Sequence, residues 1–223
     1  MSGQFAFRRM LGLALALVVF SGLTWLAKAQ TKTKAAKAVA PQQTPAPVKT
    51  LGSPSAPITI EVYSDFQCPA CKNLFEQTLR PVIDNYVAIG KVYLVHRDFP
   101  LQVHKHSRQA ARYANAAARL GKFERVAEAL YAGQEKWSVN GDVDSVVAAV
   151  LSPAEMKKVR QWVQQPADLD AVIDQDVRLG DRVPVRSTPT VLVMFRGATY
   201  PLPPGGVSYS LLRQFLDDLL RRP

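Results

Sequence analysis

The sequence predicts one α/β domain with a helical segment inserted into it, preceded by an apolar leader and a polar linker. Three observations predict this. A β-branched run of period two opens the domain, with Ile58, Ile60 and Val62 alternating with Thr59, Glu61 and Tyr63. Strand-type and helix-type runs alternate over 58–100 and again over 184–223. Between them, 101–183 carries only helical patterning.

Composition sets the outer limits. The 223 residues are 48% hydrophobic and 21% charged, which excludes a wholly disordered or fibrous chain. The net charge of +10 is uneven. Residues 1–50 hold Arg8, Arg9, Lys28, Lys32, Lys34, Lys37 and Lys49 and no acid, leaving 21 basic and 18 acidic residues beyond them. A nearly neutral body gives no electrostatic footprint for phosphates, so nucleic acid is not an expected partner.

The N-terminus reads Arg8-Arg9, an uncharged apolar run from Met10 to Ala27, then the small-x-small site Ala27-Lys28-Ala29. Residues 1–29 therefore predict a secretory signal peptide cut after Ala29, or a retained single membrane anchor, since eighteen apolar residues just reach spanning length. Either form places the body outside the cytoplasm, periplasmic or facing the exterior. Residues 30–57, rich in Ala, Lys, Thr, Gln and Pro, predict a semi-extended linker, and 58–223 the folded domain.

Within that domain, Pro57 and Ser64 bound the first strand. Pro69 suits a first helical position, and Leu74, Leu79, Val82, Ile83 and Tyr86 follow at helical spacing, with a kink expected at Pro81. Gly90 precedes a second strand over 91–99, stopped by Pro100, so strand, helix and strand form a parallel unit. Helices are predicted in the Ala-rich stretch before Gly121, over 123–131, 143–151, from the capping box Ser152-Pro153-Ala154-Glu155, and over 169–179. A hairpin about Arg196-Gly197 and a terminal amphipathic helix over 208–220 close the chain. The sequence holds no phosphate-cradling glycine loop.

Both cysteines lie in Cys68-Pro69-Ala70-Cys71, between the first strand and the first helix. At a helix N-terminus, free N–H groups and the positive end of the dipole stabilise a thiolate, so Cys68 is placed as a nucleophile. Cys71 lies on the same helical face, able to attack a mixed disulfide formed at Cys68. Two other readings compete. A structural disulfide across so short a loop stabilises little. A zinc half-site would need His96, His104 or His106, whose spacing fits no standard second half; His104 and His106 read as surface residues at the start of a helix and His96 as a strand side chain. No metal is expected.

The run Val62-Tyr63-Ser64-Asp65-Phe66-Gln67-Cys68-Pro69-Ala70-Cys71 resembles the active-site segment of DsbA-like thiol:disulfide oxidoreductases. Arg97-Asp98-Phe99-Pro100-Leu101 with His104, and Ser187-Thr188-Pro189-Thr190, resemble two further segments of that family in the same order. The resemblance covers 58–223 and implies a thioredoxin fold with a helical domain, here 101–183, inserted between the second strand and a cis-proline loop. It implies Cys68 as attacking thiolate, Cys71 as resolving thiol, Pro189 as the cis residue, and Thr188 offering backbone groups to an extended substrate. Pro69, Ala70 and Phe66 complete the active-site loop.

Two departures from the family pattern stand out. Many members carry a buried acid six residues before the first cysteine, where this chain has Val62, and alternation sends Glu61 to the opposite face. The Pro-Ala dipeptide lacks the histidine of strongly oxidising members, so a less extreme potential is expected. The resulting expectation is an exported enzyme that donates its redox-active Cys68–Cys71 disulfide to cysteines of secreted proteins, needs no other cofactor, and is recycled by a membrane redox partner. A reductase or isomerase in the same compartment, or a non-catalytic thioredoxin-fold binding module, are the alternatives.

Overall fold

The computed structural model describes residues 48–183 and 185–222. The predicted leader and the linker as far as residue 47 lie outside the described residues. Among those described, no helix is long and apolar enough to cross a membrane.

Five strands form one sheet. They are β1 (Thr50–Leu51), β2 (Ile58–Ser64), β3 (Val92–Asp98), β4 (Thr190–Phe195) and β5 (Ala198–Pro201), in spatial order β1-β3-β2-β4-β5. β2 pairs parallel with β3 and antiparallel with β4, placing Val62 opposite both His96 and Val191. Ile58, Ile60 and Val62 are buried because this central strand is covered on its apolar face; each such side chain contributes about 1.5–3 kcal/mol of burial. Glu61 and Tyr63 face the other way, as alternation requires.

The first helical run, α1, spans 69–87. It is α-helical over Pro69–Leu74 and Arg80–Val82 and widens to π geometry over Phe75–Leu79 and Ile83–Val87. Pro81 has no N–H to give the carbonyl four residues back, and the helix accommodates this by bulging rather than ending.

The inserted segment supplies α2 (Ser107–Ala118), α3 (Phe123–Ala132), α4 (Gln134–Asn140), α5 (Val143–Ala148), α6 (Pro153–Gln164) and α7 (Ala167–Arg182). Ala110, Ala114 and Ala117 are fully buried in α2, the close packing that small side chains permit. The capping box at α6 forms, with Ser152 Oγ accepting from the Glu155 N–H and the Glu155 carboxylate accepting from the Ser152 N–H at 2.9 Å. α7 lies on the sheet face opposite α1, where a Cβ at Gly180 would fall 2.6 Å from the Phe99 ring. The helix approaches this closely because that position is glycine.

The hairpin turns through Arg196 (φ 50°) and Gly197 (φ 80°), the paired left-handed residues of a tight primed turn. Ser208 then caps the closing helix α8 (Tyr209–Arg221), which buries Leu212, Leu216 and Leu219.

Two features differ from the sequence reading. α4 was not predicted: seven residues give no sustained period, and Trp137 anchors it almost alone. The end of the predicted linker is part of the domain. Thr50 and Leu51 pair with β3, the Lys49 carbonyl accepts from the His96 N–H at 2.9 Å, and Lys49 is buried. A lone lysine before two strand residues looks solvated in sequence; its two buried carboxylate partners lie 49 and 127 residues away.

Candidate active site

β2 ends at Ser64, and the next four residues carry the chain to the N-terminus of α1. Cys68 is the N-cap, in extended conformation, with Pro69 at the first helical position. Cys68 is 7% exposed and Cys71 1%, and both are free thiols. Pro69 and Ala70 are exposed above them. Across the site, Thr188–Pro189 is a cis peptide, and the Thr188 carbonyl lies 3.4 Å from Cys68 Sγ. The Thr188 hydroxyl is buried with no oxygen or nitrogen partner among the described residues, and it helps lower the Cys68 pKa.

The two thiols ionise in opposite senses. A hydrogen bond from the Cys71 side chain, with further ones from the Cys71 backbone, Thr188 and the Ala70 backbone, brings Cys68 down to about 5. Burial pushes Cys71 far up, and the neighbouring Cys68 charge adds to this. Cys68 is therefore the thiolate at neutral pH, and Cys71 holds its proton.

The helical insertion grips the loop that presents them. Gln134 Nε2 donates to the carbonyls of Phe66 (2.7 Å) and Cys68 (3.0 Å). The Gln67 side chain donates to the Ser138 carbonyl at 3.1 Å and accepts from the His106 N–H at 2.7 Å. Asp65, 1% exposed, binds both sides of the joint. Its carboxylate accepts from the N–H of Gln67 (2.7 Å) and Leu101 (2.8 Å) and from Ser107 Oγ, and pairs with His104 Nδ1 at 2.7 Å. Its own N–H donates to Cys71 Sγ at 3.4 Å.

Sequence reasoning placed Cys68, Cys71, Thr188 and Pro189 together, and the structure brings them together. Phe66 is different: it is buried, stacking on His96 and lying against Tyr131, so it supports the loop from beneath rather than offering a surface. His104 is no surface residue either; Asp65 draws it inward. Asp65, Gln134, Ser64 and Tyr131 were missed as site residues. Asp65 had a local signal, an acid beside the cysteine motif, whereas Gln134 and Tyr131 arrive from helices more than sixty positions on. No group of three or more His, Cys, Asp or Glu among the described residues is arranged to hold a metal ion.

A dithiol at a helix N-terminus, opposite a cis-proline on a five-stranded sheet with a helical insertion, is the arrangement that the resemblance to DsbA-like proteins implies. The family model described as thioredoxin matches residues 43–202, and the chain belongs to that family. The fold is similar to that of BdbD from Bacillus subtilis in its oxidised form, with a TM-score of 0.66, 17% identity and coverage of 80% of this chain and 98% of that one. It is likewise similar to DsbA from Chlamydia trachomatis, with a TM-score of 0.64, 15% identity and coverage of 78% and 90%.

Among sequences, the probable disulfide bond formation protein D of Bacillus cereus is 24% identical over 151 residues, 65% of this chain and 69% of that protein. The Na(+)/H(+) antiporter NhaA 3 of Salinispora tropica is 28% identical over 171 residues, 76% of this chain. The chain spans about a quarter of the length of that antiporter and of a second one that it matches, 25% and 22%.

Proposed function

We propose that this protein is an extracytoplasmic disulfide donor, passing its Cys68–Cys71 disulfide to cysteines of secreted proteins. The observation that carries this reading is the placement of Cys68 at the N-cap of α1, 3.4 Å from the Thr188 carbonyl beside the cis peptide, with its pKa brought down to about 5. A stabilised thiolate favours the reduced form of the enzyme, which makes its disulfide a better oxidant.

In the reaction, a client thiolate attacks Cys68 Sγ and expels Cys71, leaving a mixed disulfide. A second client thiolate attacks the client sulfur of that bond, so the client gains a disulfide and Cys68 leaves as thiolate. The Thr188 backbone, beside Pro189, pairs with an extended client segment without reading its sequence. Pro69 and Ala70, exposed over the thiols, border the docking surface. The disulfide itself is the only redox group required, and a membrane redox partner restores it. The leader predicted at 1–29 supports export, by cleavage or as an N-terminal tether.

Cys71→Ser tests the exchange chemistry. With attack at Cys68 intact and resolution lost, mixed disulfides with client proteins accumulate in an oxidising compartment and disappear on reduction. A variant that traps no client there would sink the enzyme reading in favour of a binding module.

A further inference from the structure

Cys71 must lose a proton to attack and regain one when expelled, yet it is 1% exposed. The carboxylates around it are poor acceptors. Asp65 has its oxygens occupied by four donors. Glu61 lies on the other face of the sheet, paired with Arg97. Asp98 is fully buried and, with Lys49 beside it, held well below the usual carboxylate range. The strand position six residues before Cys68 holds Val62, which cannot accept a proton.

A different path leaves Cys71. The Ser64 hydroxyl favours the Cys71 thiolate electrostatically and lies 2.7 Å from Tyr131 Oη. Burial, and next the Cys71 charge, raise Tyr131 well above its ordinary value, so this hydroxyl passes a proton without keeping the charge. Tyr131 borders an internal cavity of about 20 Å³, shared with Val62, Phe75, Lys49, Glu124 and His96. That is room for one water, which needs about 10–15 Å³ and polar partners.

His96 also lines this cavity. Its ring stacks on Phe66 at 5.1 Å and meets Phe123 at 5.0 Å, with Nε2 3.3 Å from Asp98 Oδ1. It also lines the open surface groove of about 350 Å³ formed with Arg97, Val172, Gln175 and Asp176. Lys49, Val95 and His96 border both spaces, and Lys49 is committed to Asp98 and Asp176. The charged groups facing this region are Lys49 from the segment before β1, Arg97 and Asp98 from β3, Glu124 from α3 and Asp176 from α7.

We propose that His96 is the solvent end of a proton route serving Cys71, connected to it through the hydroxyls of Ser64 and Tyr131 and one water in the cavity. When Cys71 attacks the mixed disulfide, its proton moves to Ser64 Oγ, the Ser64 proton to Tyr131 Oη, and the Tyr131 proton through the water to the His96 imidazole. The Cys71 thiolate bonds to Cys68 Sγ, the bond from Cys68 to the client breaks, and the client sulfur leaves with the electron pair. In the donor direction the same chain runs backwards and protonates the expelled Cys71.

The proposal rests on the exchange chemistry assigned above, and one experiment separates the two. Reduced full-length protein is mixed with an aromatic disulfide whose released thiol absorbs in the visible. The wild type gives a first phase from attack by Cys68 and a second from attack by Cys71, followed from pH 5 to 9. Absence of both phases in the wild type sinks the exchange reading, and the proposal with it. With both present, His96→Gln slows the second phase relative to the first by about tenfold or more and changes its dependence on pH, while the first phase keeps its own. Tyr131→Phe keeps the ring packing and gives the same selective loss. An unchanged second phase, a slowed second phase whose pH dependence is unaltered, or two phases slowed equally overturns the proposal.

Discussion

Cys68 and Cys71 are chemically identical residues one helical turn apart, and their surroundings divide the work between them. Cys68 sits at the helix N-cap, where the Cys71 side chain and neighbouring N–H groups stabilise its negative charge. Cys71 lies one turn deeper, where burial penalises charge. Alkylation of the reduced protein therefore labels Cys68 with a midpoint near pH 5, while native Cys71 stays unlabelled at neutral pH; a midpoint near pH 8 would contradict this assignment. The stability linkage has the same sign. A thiol depressed from about 8.5 when unfolded stabilises the folded dithiol fully above that value, and the contribution is lost as pH falls through about 5. The cysteines and Thr188-Pro189 were legible in sequence because each is a contiguous motif. Tyr131 and His96 were not, because what makes them matter is convergence from separate elements, and isolated side chains carry no trace of their partners.

At the level of elements, the insertion acts as a clamp on the active-site loop. α4 contributes Gln134 and Ser138, and the segment leading into α2 contributes Leu101, His104, His106 and Ser107. The Gln134 amide satisfies two loop carbonyls at once. Gln134→Ala leaves them without that donor and lowers stability by about 1–3 kcal/mol in urea denaturation, with loss of the low Cys68 pKa as the loop relaxes. A fully stable variant with unaltered Cys68 titration would show the clamp to be incidental. Long periodic helices such as α2 and α6 were visible in sequence, the second down to its capping box. α4 was not, because a seven-residue helix held by Trp137 and three hydrogen bonds to a distant loop has tertiary rather than local reasons to exist.

Across the whole molecule, a buried charge cluster ties the sheet to the insertion. Lys49 before β1 pairs with Asp98 at the end of β3 and Asp176 in α7, and Asn115 in α2 donates to Asp98 at 2.6 Å. All three charged side chains are 6% exposed or less. Removing one partner strands the others, so Lys49→Met costs about 3–5 kcal/mol at neutral pH, measured by chemical denaturation. A loss below 1 kcal/mol would mean that the cluster is solvated in solution. The overall architecture was readable because alternation and helical period segregate along the chain. The cluster was not, since a polar run with three prolines before Lys49 signals a tether until its end is seen paired with β3.

These scales meet in one quantity, because every feature that stabilises the Cys68 thiolate shifts the dithiol–disulfide balance. The reduction potential of the full-length protein against a glutathione series, with Cys68 and Cys71 followed by alkylation and mass, measures that balance directly. A disulfide donor is expected to fall between about −120 and −180 mV. A value near about −270 mV, typical of a thioredoxin-like reductant, would reverse the electron flow and contradict the donor assignment.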